Sequence, residues 1–588
     1  MLFGKTVNKY YIKYGFFFIL GILALLFVDY FQLEIPKIFG EIVDGLKDKS
    51  LSQADLTDYM FYMGIILIVM VVGRFLWRIS IFGNGIRIEA DLRDRMFQHS
   101  ERLSQRFYQL NKTGALMALY TNDLGAIRSA FGFGFVMLVD TIFLGIMAFY
   151  KMWRLDPILT LICLVPLILI ALSGSVIGRY MRQKFRLRQE SYAALSDFTQ
   201  ESFSGISVIK AFVKEGKELL AFRYKNKDYR DKNIEFVKAS TLLNILVGAL
   251  VGSVNIIIIT YGGYLVSKGA EVGGSVLTIG KLLEFNLLFG SLIWPMMAIG
   301  RLIDLKSQAS ASLKRIDGLL SEKVEIEDSD DVIENHEIEG KITFNHLNFK
   351  YPDSEKLVLS NITFTIEKGE SVGIVGRTGS GKTTLVDLLL RLYNLNEGEL
   401  LIDDIDIMKL PFRKVREAIA YVPQDNFLFS DTIKNNIGFY AEKTSDEKII
   451  EAAKNADIDE NIQSFTYGYE TILGERGVTV SGGQKQRISI ARALIKDSQI
   501  LILDDSVSAV DTKTEETILN NLSRIRKGKT TIIIAHRIST IQSLDKIVLI
   551  DDGKIVDVGT HEELLGRCNL YQKMVELQKL EEEIVGEK

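Results

Sequence analysis

The chain has 588 residues, 47% of them hydrophobic and 24% charged, with a formal net charge of −4. So small a charge excludes a general nucleic-acid binder, which needs a strongly basic face. Its two cysteines, Cys163 in an apolar run and Cys568 near the C-terminus, exclude a disulfide framework.

The apolar residues concentrate before about residue 305. Six segments reach the ~20 residues needed to cross a bilayer; they run roughly 14–35, 58–83, 132–153, 155–178, 239–267 and 277–301. The first follows Lys5, Lys9 and Lys13 in the manner of a secretory signal. It is long and no small-residue cleavage site follows, so it is expected to stay as a span. Spans two and three are joined by some 48 residues, and spans four and five by some 60. Both connections are rich in lysine and arginine, which predicts that they and both termini are cytoplasmic. Residues 86–109 and 180–201 carry apolar residues at helical spacing. The spans should therefore continue into the cytosol as long helices, each pair closed by a short transverse helix. The expected membrane domain is 1–320, followed by an acidic solvated linker, 321–338.

From residue 339 to about 580 the pattern changes to short β-like runs, among them Ile342-Thr343-Phe344, Val372 to Val375, Ile500 to Leu503 and Thr531 to Ile534. Helical stretches lie between them, which predicts an α/β domain on a parallel sheet. Gly376-Arg377-Thr378-Gly379-Ser380-Gly381-Lys382-Thr383 fits G-x-x-x-x-G-K-[ST] between a strand and a helix. Glycines there let successive backbone N–H groups face a phosphate, and the helix N-terminus adds a favourable dipole. Lys382 suits the β/γ oxygens; Thr383 can hold Mg²⁺. Asp504 ends an apolar strand and is the natural Mg²⁺ partner. ATP and Mg²⁺ are thus the implied ligands.

Ser481-Gly482-Gly483-Gln484, after Val480, resembles the signature sequence of the ATP-binding cassette (ABC) transporters, with Val480 in place of the usual leucine. The resemblance extends along nearly the whole chain and implies an exporter-type half-transporter: six helical spans with long cytoplasmic extensions, fused to an α/β phosphate-loop ATPase domain. It implies that Tyr351 stacks on adenine and that Thr384 joins the ATP contacts. It also implies that Gln424 senses Mg²⁺ and the lytic water, and that His536 is the switch histidine near the γ-phosphate. Gly474-Glu475-Arg476-Gly477 resembles the exporter-specific loop. Ser508-Ala509-Val510-Asp511 resembles the loop that crosses the dimer interface. Segments of about 104–117 and 201–215 fit the coupling helices. In that family two cassettes stack head to tail, so Ser481 to Gln484 would touch ATP held by a partner.

Asp505 stands where a fully active member carries glutamate. Asp is shorter by one bond, roughly 1.5 Å. General-base catalysis, worth about 10²–10⁴-fold, needs close approach to the proton. The expected partner is therefore a second, non-identical half-transporter bearing that glutamate, as in bacterial heterodimeric multidrug exporters. This chain would supply a slow, degenerate site and the signature of the partner's fast one. Within the spans, Asp140 and Glu284, with Phe285, Phe289 and Trp294, are candidates to line an apolar path with acidic points for amphipathic substrates. Asp29 is a further acid in the first span. The alternatives are a lipid or lipopeptide flippase, a slow homodimer, and an ATP-binding regulatory subunit that transports nothing.

Overall fold

The computed structural model describes residues 4, 6–272, 277–440, 444–474, 477, 480–508 and 510–586. Two compact units emerge: residues 1–101 with 111–322, and residues 102–110 with 323–588.

Among its described residues the first unit holds helices and no strand. Five of its helices are long and apolar enough to cross a membrane: Gly15–Lys47, Gln53–Ser100, Thr113–Leu155, Glu215–Lys268 and Ile279–Ser321. A sixth, Pro157–Ser204, opens on the apolar segment Pro157–Leu169. The side chains of 170, 171, 173–176 and 178 lie outside the described residues, and with them part of the expected span 155–178. Local chemistry starts these helices. Asp156 accepts from Leu159 N at 2.6 Å, with Pro157 at the first helical position. Ser52 and Asp55 form a reciprocal capping box before the second helix, and Thr278 caps the last.

Pro157–Ser204 and Glu215–Lys268 run on well past their apolar segments, as the helical spacing in the long second connection led one to expect. Lys184 reaches Glu235 at 2.5 Å and Ser191 reaches Asp228 at 2.5 Å between them. The short helix Ile206–Ala211 joins them. The core of the bundle gathers Leu33, Leu144, Ala148, Phe285, Leu288 and Phe289. Much of the outer face is exposed apolar side chain, as a lipid-facing surface requires.

The second unit contains two sheets. Six strands run in the order Lys554–Gly559, Lys546–Asp551, Ser371–Gly376, Thr530–Ile534, Ile500–Asp504, Ile419–Val422. All neighbours are parallel except the first pair. The central strands are buried along both faces, as a sheet covered by helices demands. The second sheet was not foreseen. Leu359–Ile366, Ile342–Phe349, Glu397–Ile402 and Ile405–Asp406 pair antiparallel. The Ile342 run was expected in the parallel sheet and belongs here instead. Its buried and partly exposed residues alternate, the mark of a sheet with one wet face.

The first expected transverse segment, 104–117, is also corrected. Only Gln105–Leu110 is a short helix; a separate helix begins at Thr113. Residues 102–110 group with the α/β unit and not with the rest of 1–320. Arg106 forks onto Asp353 (2.7 and 2.9 Å) and reaches Glu325 at 2.6 Å, while Ser104 adds a bond to Glu325. The expected linker, 321–338, begins where helix Ile279–Ser321 ends and has no regular structure.

Candidate functional site

Strand Ser371–Gly376 lies mid-sheet and delivers the phosphate loop at its C-terminal edge. A side chain at Gly376 would stand 2.0 Å from the Ile550 carbonyl, so only glycine fits. Gly381 adopts φ +97° and turns the chain into helix Lys382–Leu389. Lys382 is 6% exposed. Its ammonium donates to the carbonyls of Gly376 (2.9 Å) and Arg377 (3.0 Å), inside the loop. Burial lowers its pKa, and the charges of Asp504 and Asp505 oppose that. The Ser380 hydroxyl is buried without a partner.

Asp504 ends the fully buried strand Ile500–Asp504 and is 1% exposed. One carboxylate oxygen has no partner. Burial raises its pKa and the Asp505 charge adds to this; the Thr383 hydroxyl, Lys382 and Tyr421 work against it. A desolvated carboxylate with an unused oxygen, beside a threonine hydroxyl and a lysine, fits Mg²⁺ arriving on a nucleotide phosphate. No geometry of this kind is stable on dispersion alone; the orphaned oxygen calls for a cation.

Asp505 continues the strand by donating from its N to Ile534 O at 2.9 Å, but in the left-handed region, at φ +47°. Aspartate tolerates that conformation better than most side chains. Its carboxylate accepts from Gln424 Nε2 at 3.4 Å, so two of the three expected catalytic residues meet. The third, His536, is half-buried just after strand Thr530–Ile534. Its backbone is held by a residue the sequence reading missed. Gln578, on helix Asn569–Gly586, donates to His536 O at 2.5 Å and accepts from Ile538 N at 2.7 Å.

Tyr351 places its hydroxyl 3.0 Å from Thr384 Oγ1 and its ring edge-on to Tyr393, with centroids 5.1 Å apart. Tyr393 in turn donates to Gln109 Oε1 at 3.0 Å. Asp387, also missed, lies one helical turn past Thr383. Burial, then the Asp504 charge, pushes its pKa up to about 6, and Tyr351 moderates the shift. Tyr421 faces both carboxylates, and burial raises its phenol. A one-turn spacing from the loop was the only signal for Asp387.

The signature residues stand apart. Ser481 caps helix Gly482–Leu494 in a capping box with Gln484 (3.3 and 2.9 Å), which leaves Gly482 and Gly483 on an open helix N-terminus. Val480 is buried, so its apolar character suffices there. Among the described residues no hydrogen bond joins these to the phosphate loop. Asp511 caps helix Thr512–Ile525 by accepting from Thr514 N at 3.0 Å. Glu475, Arg476 and Ala509 lie outside the described residues.

Two family profiles match: ABC transporter transmembrane region over residues 18–296 and ABC transporter over 359–508. A Bacillus subtilis protein, the probable multidrug resistance ABC transporter ATP-binding/permease protein YheI, is 38% identical over 585 residues, covering 98% of this chain and 97% of its own. The chain belongs to the ABC transporter family. The multidrug resistance-like ATP-binding protein MdlA of Escherichia coli is 34% identical, covering 96% of this chain and 94% of its own. An ATP-dependent lipid A-core flippase of Syntrophus aciditrophicus is 36% identical, covering 89% and 86%. A bacterial Atm1-family ABC exporter with ATP bound superimposes with a TM-score of 0.75 at 27% identity, over 97% of this chain and 98% of that one. This ABC transporter is thus an ATPase-coupled, multi-pass protein of the plasma membrane, with ATP and Mg²⁺ as its ligands.

The candidate substrate path needs correction. Phe285 and Phe289 are fully buried among bundle side chains and line no open surface. Trp294, nine residues or about two and a half turns beyond Phe285, lies on the opposite face and is 40% exposed. Glu284 and Asp140 do not meet. Glu284 lies among Lys151, Lys37, Glu41 and Glu34. Asp140 faces the Trp294 indole, about 15 Å along the same helix from Glu284.

Proposed function

We propose that this chain is one half of a heterodimeric exporter of amphipathic, lipophilic compounds, and that its own phosphate loop forms the slow site. In this assignment Gly376 to Thr384 and Tyr351 bind ATP, while Thr383, Gln424 and Asp504 hold Mg²⁺. Asp505, Gln424 and His536 stand at the attacking water. Ser481 to Gln484 complete the partner's site, and Asp511 lies at the interface between cassettes. Residues 1–320 form the membrane domain, 321–338 the linker and 339–580 the cassette, with coupling segments around 105–110 and 206–211.

The observation that carries the proposal is the Asp505 side chain. Its carboxylate reaches back to Gln424 at 3.4 Å, from a backbone already turned into the left-handed region. A base one bond short forfeits a share of the about 10²–10⁴-fold that general-base catalysis supplies. The signature residues Ser481 to Gln484, on an open helix N-terminus and, among the described residues, with no hydrogen bond to this chain's own phosphate loop, support a site completed by another cassette. YheI and MdlA, named as multidrug resistance proteins, support the substrate class.

Asp505→Glu is expected to raise ATP hydrolysis at this chain's own site by at least about tenfold, measured with the partner's base disabled. Unchanged or lower turnover overturns the degenerate site. Brisk hydrolysis by a purified assembly of identical copies overturns the heterodimer. The flippase relative favours a lipid substrate as the second reading. ATPase stimulated in nanodiscs by added lipid, and not by lipophilic drugs, would decide for it.

A further inference from the structure

We propose that the short helix Gln105–Leu110 is a second layer of the adenine site, in which Arg106 and Gln109 are positioning residues for the ring of Tyr351. This rests on the assignment of Tyr351 to adenine made above and adds to it two residues far from the cassette in sequence. Tyr351 stands two residues past strand Ile342–Phe349, outside any regular element. It heads a tight turn. Ser354 N donates to Tyr351 O at 3.0 Å, and Pro352 takes the second position, where its fixed φ suits the turn. Asp353 takes the third position, and Arg106 grips it with a fork, Nε and Nη2 reaching the two carboxylate oxygens at 2.9 and 2.7 Å. The remaining nitrogen, Nη1, donates to Glu325 at 2.6 Å. Glu325 also accepts from Ser104 at 2.5 Å, and its carbonyl accepts from Asn394 Nδ2 at 2.8 Å. A lone ion pair at this exposure contributes little; a bidentate fork inside such a network fixes a geometry.

The ring is braced separately from its turn. The Tyr351 hydroxyl sits 3.0 Å from Thr384 Oγ1. Phe349 and Tyr393 each meet the ring at 81°, with centroids 5.2 and 5.1 Å away. Neither stacks flat on it, and the ring stays half-buried, so flat stacking remains open to a planar base. Tyr393 is 5% exposed, and a phenol so deep needs an acceptor within the structure. Gln109 is that acceptor, through Oε1 at 3.0 Å. Arg106 and Gln109 are three residues apart and share one side of their helix. One holds the turn that carries Tyr351; the other holds the ring that braces it. Without Gln109 a buried hydroxyl loses its partner, and without Arg106 Asp353 and Glu325 lose their shared cation. Both bear on the base end of the nucleotide, so their loss should spare the phosphate contacts.

The test uses the full-length chain in nanodiscs and two ligands that displace radiolabelled ATP in the presence of Mg²⁺: ATP itself, and tripolyphosphate, which has the phosphates and no base. Tyr351→Ala sets the scale and should weaken ATP by about tenfold, the loss of one base–aromatic stack. Arg106→Ala and Gln109→Leu should each weaken ATP about threefold to fivefold, with tripolyphosphate changed less than about 1.5-fold. Tyr393→Phe should match Gln109→Leu and add nothing to it in the double variant. Gln109→Glu, which keeps an acceptor for Tyr393, should bind ATP within about 1.5-fold of the parent. A measurement on the unaltered protein avoids any folding defect. Coupling between base and helix is reciprocal, so ATP, and not tripolyphosphate, should slow backbone amide exchange in residues 105–110. Parent affinity for ATP in the Arg106→Ala/Gln109→Leu variant, equal weakening of ATP and tripolyphosphate, or exchange indifferent to ATP overturns the positioning role and leaves 105–110 as a structural contact. If Tyr351→Ala loses ATP while that double variant keeps it, only this inference falls. If Tyr351→Ala binds ATP as the parent does, the adenine assignment falls with it.

Discussion

Asp504 in the cassette and Asp29 in the membrane bundle make an instructive pair. Each is more than nine-tenths buried, and each keeps a carboxylate oxygen without a partner. Their surroundings differ. Asp504 stands beside a lysine, a threonine hydroxyl and a tyrosine. Asp29 faces another carboxylate, with only the exposed Arg74 opposite in charge. A buried acid with a built-in cation tolerates standing empty and tightens when a second cation arrives with its phosphate. A buried acid without one leaves the cost of its burial uncompensated.

Removing the built-in cation should make the first site resemble the second. Lys382→Ala is expected to lower retention of ATP at this chain's site by at least about a hundredfold, since an ammonium aimed at phosphate in a desolvated loop is worth several kcal/mol. Binding of radiolabelled ATP to the purified chain checks it. Retention within twofold of the parent would mean that the backbone N–H groups and Mg²⁺ suffice, and the contrast with Asp29 would lose its basis.

Asp387 sharpens the same comparison from the other side, because it adds negative charge where Asp504 already stands. Its pKa is raised from 3.8 to about 6, first by burial and then by that charge. The folded unit therefore holds this proton more tightly than the unfolded chain. Its contribution to stability is full below about pH 4 and is lost as pH rises through about 6. Asp387→Asn should stabilise the nucleotide-free protein by roughly 2 kcal/mol at pH 7.5 and flatten this part of the pH profile. Thermal unfolding from pH 4.5 to 7.5 reads both. Parallel profiles for the two proteins would show that Asp387 has found compensation in Tyr351.

The two acidic sites also differ in how far the sequence discloses them. The phosphate loop is eight consecutive residues, and its strand and helix follow directly, so chemistry and position are written together. Asp504 sits at the end of an unbroken apolar run, which marks a strand buried on both faces. The membrane residues lack such a signal. Lipid and protein interior are both apolar there, so periodicity does not tell an inward face from an outward one. Phe285 and Phe289 therefore read as a lining in the sequence, and the fold makes them core. The electrostatic coupling of Asp29 to Asp140 depends on which helices pack, and no single helix encodes that. The antiparallel sheet was missed for a related reason: its strands pair over long loops, and one apolar run was credited to the wrong sheet.

The smallest expected effect concerns the residue least visible of all. Gln578 is 40 residues beyond Ile538, on a helix that otherwise reads as a C-terminal amphipathic tail. Its amide spans the switch segment, donating to His536 O and accepting from Ile538 N. Both bonds fix the backbone that presents His536, and neither touches nucleotide, so Gln578 is a positioning residue. Gln578→Leu keeps the bulk and loses both bonds. In an Asp505→Glu background, where this site should turn over measurably, it is expected to lower kcat about fivefold with KM for ATP unchanged. Gln578→Glu, which sets a carboxylate against the His536 carbonyl, should do at least as much harm. A rise in KM without a change in kcat would instead place Gln578 in nucleotide binding. The switch segment would then be rigid through its strand alone, as Asp504 is.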